Sequence, residues 1–205
     1  MSVTAIEKHL DPALLPLIRK WLAPYRVRIL LTRTRQSKHG DFRAAYRTRE
    51  ATITLNRDLK PLQFLLTLTH EIAHLMVWHE YGPRTAPHGK AWQSCFGDLL
   101  RILSNQPCLP LPFRQAINQH AGRPAASSSR DLGLMKVLRE LEGADSLWLS
   151  DIKVGEMFTF RGQSFVKLKS NRTRCKCRLL TNHQLYHVAK TAIVERVSNL
   201  SDEER

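Results

Sequence analysis

The stretch Phe64-Leu65-Leu66-Thr67-Leu68-Thr69-His70-Glu71-Ile72-Ala73-His74 decides how this chain is read. Its apolar first half predicts a buried helix, and that helix carries H-E-x-x-H. Each helical residue turns by about 100°, so residues i and i+4 lie roughly 40° apart and one turn up. His70 and His74 therefore face the same way and can grip one ion. Glu71 falls about 100° round from His70, beside the ligand pair. A carboxylate there suits a metal-assisted hydrolysis, where it takes the proton of a water. Two histidines and a glutamate are costly inside an apolar helix unless something binds them. The plain alternative is a buried helix that happens to carry two histidines.

A catalytic zinc usually takes three protein ligands and leaves a fourth position open. His79 is nine residues past His70, half a turn round, and reads as a surface histidine. His88 comes after the helix-breaking Gly82-Pro83-Arg84-Thr85-Ala86-Pro87. It opens a second apolar-periodic stretch through Trp92, Phe96, Leu99, Leu100 and Leu103. A helix that folds back from there presents a first-turn histidine to the same ion. A distal-glutamate layout finds no Glu between Glu80 and Glu140, and Asp98 stays open as an alternative ligand.

His70-Glu71-x-x-His74, a spacer of thirteen residues, then His88-Gly89 with an aromatic at Trp92, resembles the SprT/Spartan family of zinc metalloproteases. The strand-like Thr52-Ile53-Thr54-Leu55-Asn56 with Leu59, and Arg35-Gln36-Ser37-Lys38-His39-Gly40-Asp41-Phe42-Arg43 upstream, add to the likeness. Pro124-Ala125-Ala126-Ser127-Ser128-Ser129-Arg130-Asp131-Leu132 is similar to a segment of the short SprT-like proteins of bacteria. The likeness is strongest over roughly residues 20–115. It implies an α+β fold: a minimal zincin-type metalloprotease domain, with a small β-sheet, the motif helix and a second ligand-bearing helix. It also implies one catalytic Zn2+ on His70, His74 and His88, with Glu71 as general base. Eukaryotic members of that family cut proteins crosslinked to DNA. The chain departs from many members in lacking two Cys-x-x-Cys pairs. Cys95 and Cys108 are isolated, and Cys175-x-Cys177 is too tight for a zinc-ribbon knuckle, so no second zinc is expected.

The net charge of +14 favours a polyanionic partner, with nucleic acid the first choice. Arg26, Arg28, Arg33, Arg35, Lys38, Arg43, Arg47 and Arg49 form one basic group. Lys167, Lys169, Arg172, Arg174, Lys176 and Arg178 form a second, better ordered one. Alternation on a strand puts Arg172, Arg174, Lys176 and Arg178 on one face, with Cys175, Cys177 and Leu179 on the other. The preceding strand is expected to turn Val166 and Leu168 inward and Lys167 and Lys169 outward. The result is a hairpin with a cationic face suited to phosphates, with Phe165 as the one evident stacking aromatic. DNA contact is then expected without sequence specificity. A soluble edge hairpin protected by charge is the alternative.

The sequence has no apolar stretch long enough for a membrane span, and its start lacks a signal-peptide pattern. Four unpaired-looking cysteines suit a reducing compartment, so a cytoplasmic location without membrane contact is expected, with nucleoid association open. Four segments are expected. They are a metalloprotease domain over 1–120, a linker with a short helix over 121–149, a small basic β-rich domain over 150–198, and a frayed tail over 199–205. Within the first, an amphipathic helix over 4–22 is interrupted near Pro16. Strands fall at 27–31 and within 42–55, and helices at about 61–79 and 88–104, with Pro107, Pro110 and Pro112 punctuating the chain after the second helix. The β-rich domain reads as a meander or small barrel. The loop 80–87 is expected to border the cleft, and Tyr46, Tyr81 and Arg84 are candidates for stabilising an oxyanion. The functional expectation is a zinc metalloendopeptidase acting on proteins bound or crosslinked to DNA. The rivals are a catalytically latent DNA-binding scaffold and a zinc peptidase of free peptides.

Overall fold

The computed structural model describes residues 4–35, 38–125, 131–143 and 147–197. The expected tail at 199–205, and the 126–130 part of the expected linker, lie outside the described residues. The chain divides into two compact units, Met1–Glu142 and Gly143–Arg205.

The first unit mixes a small sheet with helices, as expected for the α+β class. Two short 3-10 turns precede helix α1, Leu15–Leu22, with Pro16 in its first turn. Proline fits there because its missing N–H would have no helical partner anyway. Strands β1, Val27–Thr32, β2, Gly40–Arg43, and β3, Ala51–Asn56, form a sheet in the order β1-β3-β2. β1 runs parallel to β3 and β2 antiparallel to it, so β2 is an edge strand. Ala51, Ile53 and Leu55 alternate inward and are at most 2% exposed, which fixes the register of β3 against the helices.

Helix α2, Pro61–Tyr81, is the motif helix and runs through the core of this unit. Pro61 opens it, and Gly82 closes it at φ +73°, a conformation that an L side chain strains to adopt. Helix α3, Lys90–Ser104, buries Trp92, Phe96, Leu99, Leu100 and Leu103 at the predicted spacing. It begins later than expected. His88 sits in the loop two residues before the first helical residue, not in the first turn.

Two further helices complete the unit. Helix α4, Leu111–Ala121, occupies a stretch that Pro110 and Pro112 mark in sequence as broken. Both prolines stand at the helix N-terminus, where proline is tolerated. Helix α5, Leu132–Glu142, falls inside the expected linker. It packs into the first unit instead, burying Leu134 and Leu138. Its last residue caps the motif helix: Leu62 and Gln63 donate their N–H groups to Glu142 Oε1 at 2.6 and 3.2 Å. These are donors that a helix N-terminus otherwise leaves unpaired.

The second unit is an antiparallel sheet. Its strands are β4, Met157–Phe160, β5, Gln163–Ser170, β6, Arg174–Leu179, β7, Leu185–Ala189, and β8, Glu195–Arg196. Their order is β7-β6-β5-β4-β8, a four-strand meander with β8 added beside β4. Leu149, Ile152, Phe158, Phe165, Cys175, Cys177, Leu179, Val188 and Val194 form its separate core. The cysteines fill core space and none is bridged.

A candidate metal centre in a β-edged cleft

The two motif histidines lie on one face of α2, as their spacing requires. His88 reaches the same point from the loop after Gly82. The three Nε2 atoms form a nearly equilateral triangle: 3.1 Å from His74 to His70, 3.1 Å from His74 to His88, and 3.3 Å from His88 to His70. Tetrahedral nitrogens about 2.0–2.1 Å from a zinc ion stand about 3.3 Å apart, so the triangle fits such an ion. His70, His74 and His88 are the one group of this kind among the described residues, and it can hold a metal ion.

Burial keeps these imidazoles neutral and so ready to donate lone pairs. It lowers the His70 pKa to about 3 and the His74 pKa to about 4, with the neighbouring imidazoles adding to the effect, and it lowers that of His88 as well. The rings rest on Trp92, which is fully buried. Its ring centroid lies 4.7 Å from His70, 4.7 Å from His88 and 5.3 Å from His74, with the His74 ring stacked at 28°. Phe96 stacks on Trp92 in turn at 4.9 Å. The His88 carbonyl accepts from Gln93 Nε2 at 3.0 Å, which ties the ligand loop to α3. A rigid aromatic floor of this kind limits ring rotation, and so preorganises the ligands.

Glu71 is only 6% exposed and accepts a hydrogen bond from the Phe42 backbone. Burial, helped by the charge of Asp41, pushes its pKa up to about 8, against the pull of the Phe42 bond, Arg35 and Lys38. Asp41 is held by Lys38 Nζ at 2.8 Å and Arg43 Nε at 3.0 Å, and these partners bring its own pKa down despite burial. A dication at the histidine triangle favours the ionised form of a neighbouring carboxylate.

The histidines and Glu71 open on a cleft of about 450 Å³. β2 supplies one wall through Gly40, Asp41 and Phe42. Val77 and Trp78 of α2 supply another, and the loop Gly82, Pro83, Thr85, Ala86 and Pro87 borders the mouth as expected. Other sequence candidates stay outside. His79 is exposed and meets Tyr25 edge-on at 5.0 Å. Asp98 pairs with Arg101 at 2.7 Å and is not in the ligand group. Tyr46, Tyr81 and Arg84 are absent from the cleft lining, and the two tyrosines are 66% and 56% exposed. The residues that sequence reasoning missed are Gly40, Asp41 and Phe42. Gly40 and Asp41 read as a loop and Phe42 as the start of a strand, and only the fold brings them to Glu71.

The basic hairpin needs one correction. Arg174, Lys176 and Arg178 alternate with the buried Cys175, Cys177 and Leu179, as expected. β5 runs in the opposite phase. Phe165 and Lys167 point inward, each 3% exposed, and Val166 is paired with Arg178. Lys167 Nζ donates to the carbonyls of Leu149, at 2.9 Å, and Ile152. An irregularity between Lys167 and Lys169 then returns Lys169 to the outside, opposite Lys176. Lys167 is thus a buried structural cation and not a phosphate ligand, and Phe165 is not a stacking platform. Lys167→Ala leaves two carbonyls without their donor. It is expected to destabilise the second unit by about 1–3 kcal/mol, read in urea unfolding of wild type and variant. An unchanged midpoint rules the account out. In the other basic group, Arg35 is committed to Asn56 and Thr54, at 2.9 and 3.1 Å, and Lys38 and Arg43 to Asp41.

Residues 25–108 match the SprT-like family. The chain carries a SprT-like family domain over that span, which contains the histidine triad and Glu71. No curated protein and no solved structure matches the chain.

Proposed function

We propose that this chain is a zinc-dependent metalloendopeptidase that cuts proteins bound or crosslinked to DNA. The observation that carries the catalytic part is the Nε2 triangle with a buried carboxylate one residue from it in sequence and on the same cleft. Zinc held there would supply Lewis acidity, making water more acidic and polarising a peptide carbonyl. His70, His74 and His88 would hold the ion through Nε2. Glu71 takes the proton of the attacking water and hands it to the leaving amine. The low-solvent setting of Glu71 strengthens each of these charge interactions. β2, an edge strand along the cleft, offers main-chain groups with which an extended peptide can pair. That favours a peptide substrate over a small amide.

The DNA part rests on the charge of +14 and on Lys169, Arg172, Arg174, Lys176 and Arg178, with Lys167 removed from the set. These side chains suit phosphates and not base edges, so binding is without sequence preference. The test combines two measurements. Five phosphate contacts give log K against log salt a slope of up to about −4.5 on duplex DNA. The zinc-loaded protein is expected to cut a DNA-binding protein faster when DNA is present. Equal rates with and without DNA sink the DNA part. Failure of the zinc-loaded protein to cut any protein, folded or unfolded, sinks the peptidase.

A further inference from the structure

We propose that Gly40 is a positioning residue: its missing side chain is the seat of the Glu71 carboxylate. This rests on the reading of Glu71 as general base. A Cβ built at Gly40 would lie 2.6 Å from Glu71 Oε1, 2.9 Å from Glu71 Cγ and 2.7 Å from Thr67 Cγ2. No real Cβ sits that close, so something must move. Thr67 is the stiffer neighbour: it is β-branched, and its Oγ1 donates to the Gln63 carbonyl at 2.8 Å. Glu71 Oε1 is the free end of a longer side chain and is what yields.

The backbone at Gly40 is not what calls for glycine. Gly40 is not among the residues with positive φ, and it pairs with Leu55 in a regular antiparallel ladder. Glycine is needed here for the close approach of β2 to the motif helix. That approach closes Glu71 in from the side of β2, while the Phe42 N–H two residues on donates to the carboxylate. Strand and base are therefore set as one piece. β2 lies on the cleft wall that a substrate would touch.

The test is Gly40→Ala, made in the full chain in wild type and in a Thr67→Ser background, with zinc content, kinetics and crystal structures as readouts. The Thr67→Ser change removes the Cγ2 contact but keeps the hydroxyl, so in that background Glu71 alone obstructs the new methyl. Gly40→Ala is expected to retain about one zinc per chain. Whatever the added methyl does to KM on this cleft wall, its kcat should fall about 10- to 100-fold, the scale of an ångström's misplacement. The same fall is expected in the Thr67→Ser background. If kcat recovers there, the damage came from helix packing and the proposal is overturned. It is also overturned if the loss appears as lost zinc, or wholly as raised KM with kcat unchanged. The structural readout needs no activity. Oε1 is expected to shift by about 0.8 Å, from 2.6 Å to the 3.4 Å at which ordinary contact begins, with the Nε2 triangle intact. Oε1 in its wild-type place overturns the proposal even if the wild-type protein cuts nothing. A wild type that cuts nothing, with Oε1 displaced in the variant, upholds the seat and removes the peptidase reading instead.

Discussion

Glu71→Gln is expected to lower kcat for proteolysis about 10²- to 10⁴-fold while the protein keeps about one zinc per chain. Glutamine copies the shape of glutamate, so the packing against Gly40 and Thr67 survives. What is lost is the ability to accept and return a proton. The metal site is spared because its donors are three imidazoles and not the carboxylate. The variant carries a second expected effect, on stability. In the metal-free protein, burial and then Asp41 raise the Glu71 pKa from 4.5 to about 8. Between those values the folded state holds a proton that the unfolded state has released. Stability then falls as pH rises through the window, by about 1.4 kcal/mol per unit at most. Glutamine does not titrate and escapes this cost. With a chelator present, Glu71→Gln should therefore melt above wild type at pH 8, and the gap should close as pH is brought down towards 4.5. Identical melting at pH 8 would show that the carboxylate is not penalised by burial. Full proteolysis by the variant would remove Glu71 from the chemistry.

The parts of the site that can be read in sequence are those set by local periodicity. Helical spacing alone puts His70 and His74 on one face, and the apolar run around them buries the helix. The loop Gly82–Pro87 announces a reversal, which is why His88 can be named although it stops short of α3. Strand alternation sets the faces of β6 correctly, where charged and apolar residues separate cleanly. It yields the wrong phase for β5. Phe165-Val166-Lys167-Leu168-Lys169 supports either phase, and two carbonyls from residues 149 and 152 decide it by taking the Lys167 ammonium. Long-range pairings carry no local signal. Glu142 caps α2 across about eighty residues of chain, and Gly40 meets Glu71 only because β2 lies beside the motif helix.

Zinc affinity is expected to fall much less steeply from pH 7 to pH 5 than it would with three free imidazoles, and His74→Ala is expected to abolish tight binding at every pH. Protons compete with zinc for imidazole lone pairs, so three ordinary histidines titrating together would lose about a thousandfold in affinity per pH unit below their pKa. Here burial, with the mutual repulsion of the ring charges, holds His70 near 3 and His74 near 4, so both are still neutral at pH 5. The same depression has a cost in the metal-free protein. The unfolded chain takes up protons on these histidines from about pH 6.5 downward, and the folded chain does not. Stability is therefore present above that pH and drains away as pH falls towards the folded values, by about 1.4 kcal/mol per unit for each histidine. A zinc ion held by the folded triangle alone would remove much of this acid sensitivity. His74 stands 3.1 Å from both partner nitrogens, and its loss opens the triangle. Affinity should drop well beyond the 10–100-fold typical of losing a supporting residue. Competition titration with a chromophoric chelator across pH 5–8 reads all of this at once. A fall of about a thousandfold per unit below pH 6.5 would mean that the imidazoles titrate as free histidines, and that the burial seen around Trp92 does not set their chemistry.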